Sequence, residues 1–446
     1  MKLMMYDVIV VGAGPGGYIA AERAGARGKS VLLIEKAHLG GVCTNEGCIP
    51  TKSLLNSAKQ YVHGLEAGKF GVHFDGARFE LKEAMAWKQG VIDTLRKGIA
   101  YLMKKHGVEV ITGEAEFVDR RTVRVNGELY QGQNLIIATG SSAAVPPIPG
   151  ADSPHVMTNR EILQISKLPA TIAIIGGGYI GMEFASLFSN VGVEAHVIEM
   201  MDEIVPMMDG EFAKILRKSI PKVSYHLGAK VEKIDGRTIF FSTGEKTDSL
   251  QADIILMSVG RRPNVQGLEG LGLDIRRQGV KVNEKMQTNL PGVYAIGDIN
   301  GESLLAHSAS RMAEVAVNTI CGRPDRMRYQ AIPWVVYTLP EVAGCGLTEQ
   351  DARQQGMNVR TATVQMRANG RFLAEYGRQA PGLCKVVVDA DTDVLKGVHL
   401  LGANCSEMIY GVAATLEAEL RVQDIQDIIF PHPTVSEIIK DALWEL

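Results

Sequence analysis

Residues 6–11 are almost continuously apolar, the pattern of a strand covered on both faces in a parallel sheet. Three glycines follow, Gly12, Gly14 and Gly17, and then Ala20, Ala21 and Ala24 on a predicted helix. A second predicted strand, 30–34, ends on Glu35. The same order returns later. Thr171–Ile175 is apolar, Gly176, Gly178 and Gly181 repeat the spacing, and the strand 195–198 ends on Glu199. Each acid lies 23 positions after the first glycine of its copy. Both copies continue into a hairpin and another strand. In the first, 116–130 turns at Asn126-Gly127 and leads to 135–140; in the second, 229–241 turns at Asp235-Gly236 and leads to 254–260. From about Ile332 the pattern changes. Strands at 385–388 and 394–400, and a helix whose Ile409, Val412, Ala413, Leu416 and Leu420 share a face, predict a separate α+β unit.

Strand, G-x-G-x-x-G, helix, strand and terminal acid form the signature of a dinucleotide-binding unit. The glycines permit a tight turn and a close approach to pyrophosphate, and the acid receives ribose hydroxyls. Two units imply two dinucleotides held together. They are not equal in length: Gly12 to Gly140 spans 128 positions and Gly176 to Gly260 only 84. The surplus holds a long helical segment, Leu81–Lys105, and the stretch Gly40-Gly41-Val42-Cys43-Thr44-Asn45-Glu46-Gly47-Cys48-Ile49-Pro50-Thr51-Lys52.

That stretch carries the candidate chemistry. Pro50 suits the first turn of a helix, and Leu54, Leu55, Ala58 and Val62 continue it, so Cys48 is expected at a helix N-terminus that favours a thiolate. Metal ligation would need more ligands, and the other four cysteines stand singly. A structural disulfide belongs to small secreted chains, and this one has 446 residues. A redox dithiol fits best. Composition alters little: a net charge of −3 advertises neither nucleic acid nor an anionic membrane. No apolar stretch has the length of a membrane span, and the opening segment around Lys2 runs into the glycine turn rather than a cleavage region. The expected location is the cytoplasm.

Taken together, these motifs resemble the pyridine nucleotide–disulfide oxidoreductases over essentially the whole chain. Ala138-Thr139-Gly140, Gly260-Arg261-Arg262-Pro263-Asn264, the strand ending at Gly297-Asp298 and His432-Pro433-Thr434-Val435-Ser436-Glu437 complete the family order. The resemblance is strongest to the members that oxidise protein-bound dihydrolipoyl groups with NAD+ as final acceptor. It implies FAD in the first unit, NAD in the second, and a homodimer built by the last domain. The lipoyl group is expected to arrive on another protein, and no nucleic acid or membrane partner is expected.

The resemblance also implies roles. Cys43 is the thiol that exchanges with substrate sulfur, and Cys48 the thiol that faces the flavin. Lys52 stands near the flavin with Glu183 as its buried partner; read alone, Glu183 is an ordinary solvated helix residue, although its flank Met182-Glu183-Phe184 suits burial. His432 is the general base, lent by the other subunit and oriented by Glu437. FAD is expected to meet Gly12, Gly14, Gly17, Glu35, Lys36, Lys52, Gly113, Thr139, Gly140, Ser141, Asp298 and Ala306. For Asp298, a helix N-cap is the alternative. NAD is expected to meet Gly176, Gly178, Tyr179, Gly181, Glu199, Val231 and Gly260. Tyr179 stands as either a ring gating the nicotinamide or ordinary packing at a helix start. Glu46, where many relatives have an apolar or basic residue, is expected to point away from the sulfurs, because an inward carboxylate would raise their pKa values. A non-catalytic scaffold would have lost Cys43, Cys48 or His432, and all three are present. The expected fold class is α/β: an FAD-binding domain with the redox loop over 1–148, an NAD-binding domain over 149–265, a segment over 266–330 completing the first, and a dimerisation domain over 331–446.

Overall fold

The computed structural model describes residues 4–220 and 222–446; Lys2 and the rest of 1–3, with Pro221, lie outside the described residues. The apolar strand Met4–Val11 lies in a seven-stranded sheet, parallel to Val31–Glu35 on one side and Glu128–Ile137 on the other. Val10 thereby sits between Leu33 and Ile136, and all three are fully buried. Val293–Ala295 returns to this sheet, parallel to Glu128–Ile137, so the chain re-enters its first unit after completing the second. Glu128–Ile137 is one ten-residue strand, where the pattern suggested a hairpin arm and a separate strand. Its first half alternates between covered and open faces, while Leu135–Ile137 is covered on both. The change of pattern marks where the strand passes into the core.

The second unit is a five-stranded parallel sheet in which Thr171–Ile175 lies between Glu194–Ile198 and Ile254–Met257. An antiparallel meander, Ala229–Asp235, Thr238–Thr243 and Lys246–Gln251, follows. A short ribbon, Ser141–Ala143 against Arg261–Pro263, joins the points where the chain leaves and re-enters the first unit. The last part is an antiparallel sheet of five strands backed by Cys405–Glu417. That helix ends before Leu420, which packs on the same core from the loop beyond it.

One core spans the junctions. Leu54, Leu55 and Ala58 of the helix Cys48–Glu66 pack with Ile174 and Phe184 of the second unit and Val336 and Leu401 of the last sheet. The helix that begins at Cys48 is therefore held by all three parts. Among the described residues, no helix is long and apolar enough to cross a membrane.

Candidate active site

Each repeat strand runs into a glycine turn, and the turn is built the same way twice. Gly12 has φ 100° and Gly176 φ 104°, values that only glycine adopts without strain. A Cβ on Gly12 would lie 2.3 Å from the Ala138 carbonyl oxygen, and one on Gly176 would lie 2.4 Å from that of Ser258. Gly17 and Gly181 let the next helix press on the turn, since a Cβ there would fall 1.8 or 2.0 Å from the Gly12 or Gly176 oxygen. Gly14 and Gly178 are different. Around either, the space for a Cβ is empty to 4 Å, and no side chain caps the helix that follows. That leaves an open, donor-lined gap of the kind a pyrophosphate fills.

The terminal acids are fixed alike. Glu35 accepts hydrogen bonds from the Ala13 and Ala37 N–H groups, both at 2.8 Å. Glu199 accepts from Gly177 at 2.6 Å and Met201 at 2.7 Å. Two dinucleotides fit these residues. Around the first turn, Gly113 donates to the Glu35 carbonyl at 3.0 Å, and Lys36 is exposed beside it. Thr139 Oγ1 donates to the Asn264 carbonyl at 3.0 Å, Asn264 Nδ2 to the Thr139 carbonyl at 2.8 Å, and the Asn264 N–H to the Gly140 carbonyl at 2.9 Å. Ser141 Oγ donates to Asp298 at 2.5 Å and accepts from Arg261 Nε at 2.7 Å. Asp298 does not cap the next helix: it lies in the short turn Gly297–Asn300, and that helix starts at Ala306. At the second turn, Gly260 follows Ile254–Met257, and Val231 lies on the strand whose Ala229 donates to the Glu199 carbonyl at 2.8 Å.

The cysteine segment is pressed onto the first turn. A Cβ on Gly41 would lie 2.5 Å from Gly14 Cα, and Gly40 donates to the Ala13 carbonyl at 2.8 Å. Cys43 lies in a short helix, Gly41–Glu46, and Cys48 is the first residue of Cys48–Glu66. Arg96 from Leu81–Lys105 donates to Asn45 Oδ1 at 2.5 Å, so the long helix braces the segment. Glu46 is turned to Arg160, pairing at 2.9 Å.

Cys43 and Cys48 are both half-buried, at the junction of the two helices. The neighbouring Cys43 thiol, with help from the Lys52 ammonium, holds the Cys48 thiol below its ordinary value despite burial. The Cys48 sulfur, with burial, pushes Cys43 up. The pair is thus asymmetric, with Cys48 the more readily ionised of the two thiols.

Lys52, one helical turn beyond Cys48, donates to both Glu183 oxygens at 2.9 and 2.8 Å. Glu183 is buried rather than solvated. It also accepts from the Tyr337 N–H at 3.2 Å, and Lys52 Nζ sits 4.6 Å from the centre of the Tyr337 ring. Tyr179 opens Tyr179–Asn190, with its hydroxyl 3.2 Å from Met207 Sδ and its ring 5.9 Å from that of Trp334. His432 Nδ1 pairs with Glu437 Oε1 at 2.9 Å, and the imidazole side chain is 81% exposed in this chain. The other Glu437 oxygen accepts from the Thr434 N–H at 2.9 Å; this bond and His432 hold the carboxyl below its ordinary value.

Three residues at this site escaped the sequence reading. Arg261 and Asn264 lay in a motif of which only Gly260 was singled out. Tyr337 carries no local signal at all.

Residues 6–313 match the family model for pyridine nucleotide-disulphide oxidoreductases, and residues 332–443 match that family's dimerisation domain. The chain belongs to the pyridine nucleotide-disulphide oxidoreductases. This oxidoreductase is 40% identical to the dihydrolipoyl dehydrogenase of Thermus scotoductus over 452 residues, covering 98% of this chain and 96% of that one. Against the dihydrolipoyl dehydrogenase of Geobacillus stearothermophilus the identity is 36%, covering 98% and 95%. Among solved structures, the HOCl-induced flavoprotein disulfide reductase RclA from Escherichia coli superposes with a TM-score of 0.87 at 29% identity, covering 98% of this chain and 99% of that one. The chain is a flavoprotein disulfide oxidoreductase whose cofactors are FAD and NAD(H).

Proposed function

We propose that this oxidoreductase oxidises dihydrolipoyl groups carried on other proteins to the lipoyl disulfide, with NAD+ as the final acceptor. The observation that carries the reading is the dithiol packed on the first dinucleotide turn, with Cys48 opening a helix and a basic side chain one turn away. Relatives matched along almost their whole length bear the name of this activity. FAD is held by Gly12, Gly14, Gly17, Glu35, Lys36, Gly113, Thr139, Gly140, Ser141, Asp298 and Ala306, with Lys52 beside it. NAD is held by Gly176, Gly178, Tyr179, Gly181, Glu199, Val231 and Gly260. The protein works in the cytoplasm as a homodimer formed through its last domain.

When bound, FAD supplies the carrier that takes an electron pair from the dithiol and yields it as hydride to NAD+. The remaining steps belong to the side chains. His432, its ring held by Glu437, removes a proton from one substrate thiol. The new thiolate attacks Cys43 Sγ in the oxidised pair; the Cys43–Cys48 bond breaks, and Cys48 leaves as a thiolate beside Lys52. The second substrate sulfur then attacks the sulfur joined to Cys43, closing the lipoyl ring and releasing Cys43. Two electrons pass to the cysteine pair, and the two protons rest on Cys43 and His432.

Steady-state kinetics with dihydrolipoamide tests the reading, comparing NAD+ with NADP+. A Glu199 carboxylate set for ribose hydroxyls repels a 2′-phosphate, and a hundredfold preference for NAD+ needs only about 2.7 kcal/mol. Comparable efficiency with both acceptors, or turnover of glutathione disulfide with NADPH in place of dihydrolipoamide oxidation, would overturn it.

A further inference from the structure

Tyr337 follows the strand Trp334–Val336, in the last unit of the chain, yet it reaches the centre of the redox site. Two N–H groups dock this segment on the helix Tyr179–Asn190: Tyr337 donates to Glu183 at 3.2 Å and Leu339 to Ser186 Oγ at 3.1 Å. Residues three apart share a helix face, so the docking fixes the segment in register. The phenol ring then lies over Lys52 Nζ, 4.6 Å from its centre, while Glu183 holds the ammonium by two hydrogen bonds.

Lys52 needs such a hold. Its side chain is 32% exposed, against 5% for Glu183, and a lysine stem with water in reach can swing its charge outward. An aromatic face attracts an ammonium through its quadrupole, and more strongly where water is excluded. We infer that Tyr337 is a positioning residue: its ring keeps the Lys52 ammonium on Glu183, one helical turn from Cys48, rather than swung out to solvent. The inference rests on the proposed role of Lys52 beside Cys48. The titratable groups facing Cys48 are Cys43, Lys52 and Glu183, with Tyr18 from the first helix, Arg261 from the inter-unit ribbon and Tyr337 itself. Glu341 and Glu407 face Tyr337 from its own unit.

The test follows the rate of alkylation of Cys48 by iodoacetamide against pH, with Cys43→Ser in every protein so that one thiol of the pair responds. Tyr337→Leu should raise the pH midpoint by up to about half a unit, the most that losing the ring's hold on the ammonium can transmit. Tyr337→Phe keeps the aromatic face and should leave the midpoint in place. Lys52→Met serves as the reference and should raise it at least as far. A raised midpoint in Lys52→Met with none in Tyr337→Leu overturns the role of Tyr337 alone. No change in Lys52→Met overturns the reading of Lys52, and the inference with it. If the leucine variant does not fold, phenylalanine bearing zero to three fluorines at position 337 keeps the shape while draining the ring. A midpoint that climbs with each fluorine supports the inference, and a flat series overturns it.

Discussion

Lys52 and Glu183 share two short hydrogen bonds but not one environment. Glu183 is shut inside the helix Tyr179–Asn190, whereas Lys52 has water within reach. Removing either partner therefore has unequal consequences. Lys52→Met strands a buried carboxylate, and we expect a loss of about 3 kcal/mol in urea unfolding. Glu183→Gln leaves an ammonium that can turn to solvent and an amide that still accepts from Tyr337, so about 1 kcal/mol is expected. Equal losses would show that the two side chains are equally open to water. This pair also marks the reach of the sequence at the scale of residues. Glu183 was visible because its neighbours are apolar, and a carboxylate in such a flank needs a partner. Tyr337 was not, since it stands 154 positions from Glu183 and nothing in Val336-Tyr337-Thr338 reports which helix it will meet.

Elements were legible where one residue pattern served one purpose. The two strand–glycine–helix units emerged as read, because their turns admit almost no other residues: two glycines in each are fixed by carbonyl oxygens 1.8 to 2.4 Å from absent Cβ atoms, and the third leaves its gap open. Boundaries failed where a pattern changed purpose inside an element. Glu128–Ile137 alternates and then becomes wholly apolar, so it read as two pieces, and Leu420 keeps helical spacing beyond a helix that has already ended. The contact between elements that matters most, Gly41 on Gly14, was invisible because glycine leaves no hydrophobic trace. It supports a prediction at this scale. Gly41→Ala adds a Cβ 2.5 Å from a backbone atom at φ 57°, which no side-chain rotation can relieve. The cysteine helix must then draw back from the turn. Bound FAD per chain should fall, and dihydrolipoamide oxidation should slow on the order of a hundredfold. Gly28→Ala is the control, with φ 75° but open space around its Cβ; it should cost about 1 kcal/mol of stability and leave flavin content and turnover intact. Flavin loss in both variants would mean that backbone strain alone, not the contact, is responsible.

At the scale of the molecule, the proposed site is divided. The dithiol, Lys52 and Glu183 are gathered by one core shared among the three parts of the chain. His432 and Glu437 are already paired, yet the imidazole side chain is 81% exposed, facing solvent from the region that matches a dimerisation domain. A base so placed can act on a substrate thiol only if something brings the substrate to it, and in the homodimer proposed above that is the cysteine pair of the second copy. Two inactive chains should therefore repair one another. Cys48→Ser removes the dithiol, and His432→Gln removes the base, whose loss typically costs a hundred- to ten-thousandfold in rate. Each homodimer alone should be nearly inert in dihydrolipoamide oxidation. After subunit exchange, a mixed dimer joins the intact cysteines of one chain to the intact histidine of the other at one of its two sites. Activity should rise with the fraction of mixed dimer, measured by separating differently tagged chains. Exchange without recovered activity would mean that His432 serves its own chain or stands outside the chemistry, and the divided site would have to be abandoned.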